Sequence, residues 1–357
     1  MGRVTIKDIA RHAGVSFKTV SRVINQNPNV GVELREKVER SMAELEFKPN
    51  RAASLLRGGR SYAMGLILGP LTQFLEPGSG RPIPSYITDV ITGLMQSCSR
   101  SGYHLLIEPI TTDQLEAGVE AVDALLDDLT LDGLILVPPL CDRGWLLDLL
   151  ANRKLPCVRI NPGKPHERSI SIGIDNAAAG TEVARYVLAR NHRRVGYIAG
   201  PEGHGSHDLR WEAFARTMRE HPDVELHAVP GDFVFESGWA AAERLLADPA
   251  TRPTAIFAAN DEMAAGVIAF ANSCGLAIPE DLSVIGFGNL AVAQHCWPRL
   301  TTVRQPTIEM SRDAATELIG AVVNRDFAAG KVVSHSFRMI ERDSFAALPG
   351  AGVARQN

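Results

Sequence analysis

Short apolar runs alternate with amphipathic stretches over most of this chain, and that alternation restricts the fold more than any other feature. The runs have the length of strands, and the stretches between them have the apolar spacing of helices. Continuously apolar strands separated by helices predict parallel sheets that are covered on both faces. The predicted strands are 63–68, 104–108, 133–137, 157–160, 170–174, 195–199, 225–229, 255–259, 284–287 and 300–303, and the predicted helices are 86–101, 177–190, 207–220, 237–247, 261–274 and 307–323.

The first sixty residues follow a different pattern, which predicts three short helices. Thr5 and Asp8 have the spacing of a capping box ahead of apolar residues at helical intervals, and Gly14 ends that helix. Ser16 can cap a second helix directly after the glycine turn. A helix, a glycine-containing turn and a capped helix within about twenty residues are typical of a helix-turn-helix. A third helix over 34–45 would cover the other two.

The charge distribution separates this N-terminal part from the rest of the chain. The whole chain has a net charge of −4, yet residues 1–60 contain 12 Lys and Arg against 6 Asp and Glu, a net of +6. The remaining residues therefore have a net charge of −10. A basic head on an acidic body favours nucleic-acid binding by the head. A solvated basic tail is the alternative, but the helical patterning of the head argues against it.

Composition and missing motifs exclude several function classes. No run of about 18 apolar residues is present, the N-terminus lacks the apolar core of a secretion signal, and the five cysteines are scattered without a CxxC. We therefore expect a reduced, cytoplasmic protein with no membrane partner. No phosphate loop, HExxH, GxSxG or zinc-spaced cysteines occur, so we expect neither an enzyme nor a cofactor. His204 and His207 have no third ligand in register, which disfavours a metal site.

The second predicted helix leaves a polar face off its apolar stripe. Arg and Lys side chains donate to guanine in the major groove, Asn pairs with adenine, and hydroxyls contact phosphates. Each residue alone is better explained as an ordinary polar surface residue, but together on one face of a basic head they favour DNA reading. The predicted DNA contacts of the head are Thr5, Ser16, Phe17, Lys18, Thr19, Ser21, Arg22 and Asn25.

A family resemblance rests on this segment. The run VTIKDIARHAGVSFKTVSRVINQNPNV, followed by LREKVERSMAELEFKPNRAASLLRGGRS, resembles the head of the LacI family of bacterial regulators. The resemblance is dense over residues 4–60 and continues to about residue 343. It implies that Phe17, Lys18 and Arg22 read operator bases. Phe17 departs from the more usual tyrosine or polar residue, and its ring could contact a thymine methyl.

The resemblance also gives a role to the segment that follows the head. Residues 49–60 contain a proline, a short helix-capable run and two glycines, the composition of a punctuated linker. In the family this hinge becomes helical on operator DNA, and two copies enter the minor groove together. Asn50, Ala53 and Leu56 would then be DNA-binding residues, with Leu56 wedged between base pairs. The alternative is an inert tether with Leu56 packed against the body.

For the rest of the chain the resemblance implies a periplasmic-binding-protein-like body. The expected fold is an all-α helix-turn-helix head plus an α/β body of two doubly wound parallel-sheet lobes, with ligand bound at the strand ends between them. The expected divisions are a head over 1–48, a hinge over 49–60, a body over 61–345 and a tail over 346–357. Within the body, the first lobe covers about 61–160 and 305–328, and the second about 162–303 and 332–344.

Four stretches resemble effector-binding loops of the family. Arg210 matches an arginine that bonds ligand hydroxyls or carboxylates, although an ion pair with Asp208 or Glu212 is the alternative. Phe233 matches an aromatic residue that stacks on a sugar, with core packing equally plausible. In the third stretch, Asn260 is predicted to contact the ligand, and Asp261 is predicted to cap the helix that follows. The predicted effector-binding residues are Asn161, Ser206, Arg210, Phe233, Asn260 and Gln305, with His204 beside them, and Asn161 and Gln305 at crossings between lobes.

One departure from the family bears on the ligand. Where the family has two aspartates after a late strand, this chain has Gly288 and Asn289. The first of those aspartates commonly accepts hydrogen bonds from sugar hydroxyls, a contact that Gly288 cannot make. Asn289 or a water is a substitute. The change disfavours a simple hexose and leaves an oligosaccharide, a glycoside or a sugar acid drawn by Arg210 and Arg159.

Together these observations predict a transcriptional repressor controlled by a carbohydrate-like effector. Its expected partners are a palindromic operator DNA, the small molecule and a second copy of the chain in a homodimer. A purine- or other metabolite-responsive regulator of the same fold is the nearest alternative. A solute-binding protein would share the body but not the head. The sequence leaves open whether the effector induces or corepresses.

Overall fold

The computed structural model describes residues 4–24, 30–45, 47, 60–69, 83–165 and 167–349. The chain forms two compact units, Met1–Ser61 and Tyr62–Asn357. Four of the predicted DNA contacts, namely Asn25, Asn50, Ala53 and Leu56, lie outside the described residues.

The first unit contains the three predicted helices, α1 (Ile6–Ala13), α2 (Phe17–Ile24) and α3 (Val32–Glu44). Gly14 takes a left-handed φ of 64°, which lets the chain turn sharply after α1. One apolar stripe from each helix packs into a single small core that includes Ile9, Ala13, Val20, Val23 and Val38. The helix-turn-helix predicted from the apolar spacing is therefore present.

The second unit alternates strands and helices as predicted. Its elements are β1 (Ala63–Leu68), α4 (Ser85–Arg100), β2 (His104–Pro109), α5 (Thr112–Ala117), α6 (Val119–Asp128), β3 (Gly133–Leu136), α7 (Gly144–Asn152), β4 (Cys157–Ile160), β5 (Ile170–Ile174), α8 (Asn176–Ala189), β6 (Arg194–Ile198), α9 (Gly205–Arg219), β7 (Glu225–Val229), α10 (Phe235–Leu246), β8 (Ala255–Ala258), α11 (Asp261–Ser273), β9 (Ser283–Gly288), α12 (Val292–His295), β10 (Thr301–Arg304), α13 (Thr307–Asn324), β11 (Val332–His335) and β12 (Arg338–Ile340).

These strands form two sheets, one in each lobe. The first sheet has the order β11–β5–β4–β3–β1–β2 and is parallel throughout. The second has the order β12–β10–β9–β8–β6–β7 and is parallel except for β12, which runs antiparallel to β10. Both sheets are doubly wound, because the strand order reverses around β1 in one and β6 in the other.

Helices cover both faces of the first sheet, as continuously apolar strands require. Leu66 and Ile135 point into a core shared with α4 and α13, and their neighbours Ile67 and Leu134 point into a second core with α6 and α7. In the second lobe the close helix pairs are α8 with α9 and α10 with α11. The fold class predicted from the sequence is thus confirmed.

The chain passes between the lobes three times, and the first and third crossings differ from the predicted boundaries. The predicted second lobe began at 162 and included 332–344. Instead β5 (Ile170–Ile174) pairs with β4 and β11 in the first sheet, so the first crossing follows Ile174. The second crossing lies between β10 and α13, and the third follows His335. The boundary prediction was wrong there because strand membership depends on pairing partners that local apolar spacing cannot identify.

The ten predicted strands and six predicted helices are all present, with ends shifted by at most two residues. The sequence reading missed β11, β12 and the helices α5, α6, α7 and α12. Among the described residues, no helix is both long and apolar enough to cross a membrane.

Candidate functional site

Helix α2 displays the predicted DNA-reading face. Val20 and Val23 are buried against the head core, whereas Phe17, Lys18 and Arg22 are exposed. The exposed face of α2 therefore carries long side chains that could reach base edges if the helix lay in a major groove.

Side-chain caps fix where the two helices of the motif begin. The backbone N–H of Thr19 donates to Ser16 Oγ at 3.0 Å, which confirms Ser16 as the cap of α2. Asp8 accepts from both the backbone N–H and the hydroxyl of Thr5, at 3.0 and 2.6 Å. Ser21 lies half-buried on α2. Each cap satisfies backbone groups at the first turn of its own helix and so fixes where that helix begins.

A cavity of about 320 Å³ lies in the second unit, where the carboxyl ends of strands from both sheets meet. Residues directly after β1, β3, β4, β8 and β10 and at the end of β9 line it, as expected for ligand sites in doubly wound sheets. The structure brings together around this cavity all six predicted effector residues, Asn161, Ser206, Arg210, Phe233, Asn260 and Gln305, together with His204.

Arg210 lies on α9 and is 5% exposed. One terminal nitrogen, Nη1, donates to Asn176 Oδ1 at 2.7 Å, and Nη2 donates to the carbonyl oxygen of Ala259 at 3.3 Å. The guanidinium carbon lies 3.9 Å from the centre of the Phe287 ring. Burial lowers the pKa of Arg210 to about 10. The buried Nε has no acceptor among the described residues.

The alternative for Arg210, an ion pair on the surface, is not what the structure shows. Asp208 is bonded to the ring of His207 at 3.2 Å, and Glu212 is exposed on the same helix. Arg210 therefore faces the cavity without a carboxylate partner among the described residues. A guanidinium in that position can donate to ligand oxygen atoms.

A glycine on the neighbouring helix determines how closely α9 approaches α8. A Cβ atom at Gly180 would lie 2.2 Å from the carbonyl oxygen of Arg210. Only a residue without a side chain allows this contact. Gly180 therefore helps to set the position from which Arg210 reaches the cavity.

Phe233 and His204 form one wall of the cavity, and His207 packs against Phe233 outside the cavity lining. Phe233 has a left-handed φ of 67°, and its ring lies over Gly200, where a Cβ atom would be 2.2 Å from Phe233 Cζ. The ring of His204 meets the ring of Phe233 edge-on, with centroids 5.1 Å apart. His207 is buried beside them and accepts from the backbone N–H of Gly200 at 3.0 Å through Nε2.

Burial keeps both histidines neutral. Burial first, and then the neighbouring charges of His207 and Arg210, lower the pKa of His204 to about 4. The pKa of His207 falls to about 3 for the same reasons, burial first and Arg210 second. Because Nε2 of His207 accepts a hydrogen bond, its proton is on Nδ1. Among the described residues no group of three or more potential metal ligands comes together.

The helix-cap role predicted for Asp261 was wrong, while Asn260 lines the cavity. Asn260 caps α11: its Oδ1 accepts from the backbone N–H of Met263 at 2.9 Å, and its Nδ2 donates to the carbonyl oxygen of Phe233 at 2.8 Å. Asp261 is buried and accepts from the Thr302 hydroxyl at 2.5 Å and from the Leu290 N–H at 2.6 Å. Burial raises its pKa to about 7. The cap falls to Asn260 because that residue precedes the first turn of the helix.

Asn161 and Gln305 bond to each other. Asn161 Nδ2 donates to Gln305 Oε1 at 2.9 Å, and Asn161 Oδ1 accepts from the Ile174 N–H at 3.3 Å. Gln305 lies at a crossing between the lobes, as predicted. Asn161 does not, since it follows β4 within the first lobe; instead it ties together two crossings, one after Ile174 and one at Gln305.

Arg159 and Asn289 lie outside the cavity lining, contrary to the roles considered for them. Arg159 is 2% exposed and donates to Ser169 Oγ and to the carbonyl oxygens of Cys141 and Lys164 at 2.7–2.9 Å. Asn289 Oδ1 accepts from Arg342 at 2.6 Å. Neither side chain can therefore replace the ligand contact that Gly288 is unable to make.

Several cavity residues were not identified from the sequence. Ser85 at the start of α4 donates to Glu262 at the start of α11 at 2.6 Å, a bond that joins the two lobes. Phe287 lies under Arg210. Ser85 and Glu262 could have been found by searching the first turns of helices that follow strand ends, but Phe287 has the pattern of an ordinary buried strand residue.

Comparison with known proteins identifies the family to which this chain belongs. A model described as bacterial regulatory proteins of the lacI family matches residues 5–50, and a model described as a periplasmic binding protein-like domain matches residues 184–345. The transcriptional repressor PurR of Proteus mirabilis is 34% identical over 353 residues, covering 97% of this chain and 98% of that protein. The chain belongs to the LacI family of bacterial regulatory proteins.

Further relatives of the LacI family agree. The repressor PurR of Photorhabdus laumondii is 32% identical over 95% of this chain and 96% of its own. A structure of the transcriptional regulator CelR with cellobiose covers 96% of this chain and all of its own, with 26% identity and a TM-score of 0.69. A structure of the lac repressor dimer bound to operator and the anti-inducer ONPF covers 97% of this chain and all of its own chain. The identity is 25% and the TM-score is 0.74.

Membership in the LacI family confirms the class of function predicted from the sequence. The chain is a DNA-binding transcriptional repressor of this family, which consists of regulators rather than enzymes.

Proposed function

We propose that this repressor binds a palindromic operator as a homodimer and that a carbohydrate-like effector in the cavity controls its operator affinity. The observation that carries the proposal is the cavity at the meeting carboxyl edges of two sheets, where Arg210 offers N–H donors and Phe233 offers an aromatic ring. Planar donors suit the oxygen atoms of a sugar, and an aromatic ring suits its C–H face.

The DNA half of the proposal rests on α2 and the hinge. Lys18 and Arg22 read base edges, Phe17 contacts a thymine methyl, and Thr5, Ser16, Thr19 and Ser21 position the head on the backbone. In the hinge, Asn50, Ala53 and Leu56 complete the interface, with Leu56 as the wedge. The lac repressor dimer bound to operator, at 25% identity over nearly the whole chain, supports this arrangement.

The effector half rests on the lining of the cavity. Its volume of about 320 Å³ is within the range of small-molecule sites. The first lobe contributes Tyr86 and Asn161, and the second contributes Arg210 and Phe233. A ligand that contacts both lobes binds the closed and open arrangements with different affinity, and that difference is what shifts DNA binding. The CelR–cellobiose structure supports a carbohydrate as the class of ligand.

The DNA half is tested by selecting bound duplexes from a random library with the full chain. The expected product is a palindrome, and Arg22→Ala should weaken its binding about 10- to 100-fold while relaxing one base position. Arg11→Ala is the matched control, since Arg11 is an exposed cation of α1 that pairs with Asp8. Enrichment of no palindrome, or equal losses in the two variants, would contradict the proposal.

The effector half is tested by measuring affinity for the selected operator in the presence of sugars, glycosides, sugar acids and purines. A sugar-class compound should change operator affinity by about 5- to 150-fold. Phe233→Leu should abolish the response, and Phe235→Leu should keep it, because Phe235 is exposed and outside the cavity lining. A response to purines alone would replace the carbohydrate by a purine effector.

A further inference from the structure

We infer that the effector carries an anionic group, a carboxylate or a phosphate, that pairs with Arg210 inside the cavity. The inference rests on the proposed function and narrows its ligand class. A neutral sugar would supply hydrogen-bond acceptors but no counter-charge.

The first step concerns the charge of Arg210. A guanidinium has five N–H groups, and hydrogen bonds within the described residues account for two of them, to Asn176 Oδ1 and to the carbonyl oxygen of Ala259. Both acceptors are neutral, and the buried Nε has none. The Phe287 ring offsets part of the charge. A buried ion without a counter-ion is costly, so the site is poised for a partner that brings one.

The second step concerns the carboxylates near the cavity. Asp261 is occupied by Thr302 and Leu290, and Glu262 accepts from Ser85. Asp232, also in the lining, is exposed and accepts from the backbone of Val234. None of them forms an ion pair with Arg210.

The third step is the glycine next to Phe287. At Gly288 the family resemblance leads one to expect an aspartate, and Gly288 lines the cavity beside the ring on which Arg210 lies. The adjacent Asn289 is bonded to Arg342, so it supplies no replacement. Gly288 and Asn289 therefore supply no carboxylate to Arg210 in this chain.

The fourth step is a contrast within the same chain. Arg159 is buried to the same degree, yet Ser169, Ser171 and two carbonyl oxygens accept from it, and Asp142 lies 3.5 Å away as a counter-ion. A buried arginine with a purely structural role is thus fully bonded in this protein. Arg210 differs in that it lines the cavity, has no counter-ion among the described residues and has a buried Nε without an acceptor there.

The test uses the full chain and simple anions, so that it does not depend on knowing the effector. The melting temperature is measured at pH 7.5 in sodium chloride, sodium acetate and sodium phosphate at equal ionic strength. Acetate or phosphate should raise the melting temperature of the unaltered chain by roughly 2 °C or more relative to chloride, by mass action. The anion that acts distinguishes a carboxylate from a phosphate effector.

Three variants assign that rise to Arg210. Arg210→Met, which keeps the volume and removes the charge, should abolish it, whereas Arg210→Lys should keep part of it. Arg159→Met should keep the whole rise, although its melting temperature is lower. Circular dichroism shows that each variant is folded.

The inference is overturned if neither anion raises the melting temperature above chloride, or if the rise persists in Arg210→Met as an effect of an adventitious ion only. A neutral sugar that controls operator binding equally in the unaltered chain and in Arg210→Met would also overturn it while leaving the proposed function intact. Failure of the proposed function has a different signature, since operator binding would then respond to no ligand at all.

Discussion

Two buried arginines in the body lie in opposite surroundings. Arg159, on the interior strand β4 of the first sheet, donates to four acceptors and has Asp142 as a counter-ion. Arg210, at the cavity, donates to two neutral oxygen atoms and lies on an aromatic ring. Burial lowers the pKa of both. Burial alone therefore does not distinguish an arginine with a structural role from one that binds a ligand. What distinguishes them is whether the N–H groups of the guanidinium all have acceptors within the protein.

The largest effect expected from this comparison is the loss of Arg159. Arg159→Met removes one partner of a buried ion pair and leaves the carbonyl oxygens of Cys141 and Lys164 without donors, so the free energy of unfolding should fall by about 3–5 kcal/mol. Urea denaturation of the full chain measures it through tryptophan fluorescence, because all four tryptophans belong to the body. An equal loss in Arg210→Met would erase the distinction between the two sites.

The pH dependence of stability should reveal the burial of His207 beside Arg210. The pKa of His207 is about 3 in the folded chain and ordinarily 6.5, so between these values only the unfolded chain binds the proton. Stability is therefore fully present above pH 6.5 and falls as the pH drops, by up to roughly 1.4 kcal/mol per unit. His207→Gln, whose carbonyl oxygen can still accept from Gly200, should make denaturation curves between pH 6.5 and 4 less pH-dependent.

Asp261 gives the opposite sign and serves as the control. Its folded pKa of about 7 exceeds the ordinary 3.8, so the folded chain binds the extra proton in this range and lowering the pH stabilises it. Asp261→Asn should therefore steepen the acid loss that His207→Gln reduces. If both variants changed the slope of unfolding free energy against pH in the same direction, the opposite pKa shifts of His207 and Asp261 would be contradicted.

A smaller effect is expected from displacing the helix that holds Arg210. Gly180→Ala places a Cβ atom against the carbonyl oxygen of Arg210 and should destabilise the chain by about 1–3 kcal/mol. Gly320→Ala is the control, because a Cβ atom there meets nothing within 4 Å in the helix α13, and it should stabilise by about 0.5–1 kcal/mol. Melting temperatures of the two variants, moving in opposite directions, would support a tight α8–α9 contact.

The smallest effect concerns the ring beneath Arg210. In a double-mutant cycle, Phe287→Leu and Arg210→Met should show a coupling of about 1 kcal/mol, the size of a cation–π contact. Unfolding free energies of the two single variants and the double variant give this value. A coupling near zero would mean that the ring does not offset the charge.

Much of this molecule could be predicted from its sequence. The apolar spacing gave the helices of the head and the ten strands, because helix and strand periods are local properties. The six predicted effector residues meet around one cavity, since each lies after a parallel strand or at the start of the helix that follows it, and those ends share one edge.

Other features depended on neighbours that are distant in the chain. Strand β5 belongs to the first sheet because it pairs with β4 and β11, a partner more than 150 residues away. Asn260 rather than Asp261 caps α11, since Asp261 is drawn to Thr302, which is 41 residues further along. No local pattern contains this information, because pairing and hydrogen-bond partners are chosen only when the lobes assemble.

By itself, then, the sequence determined most of the elements and the six predicted effector residues that line the cavity, because both follow from periodicity and from the ends of strands. Only the tertiary structure decided what those residues do there. It gave Arg159 acceptors and a counter-ion, left Arg210 with unused donors, and turned Asn289 toward Arg342. The physical reason is that a hydrogen bond or a counter-charge depends on a distance of a few ångströms between atoms of different elements, and the chain order alone does not set that distance.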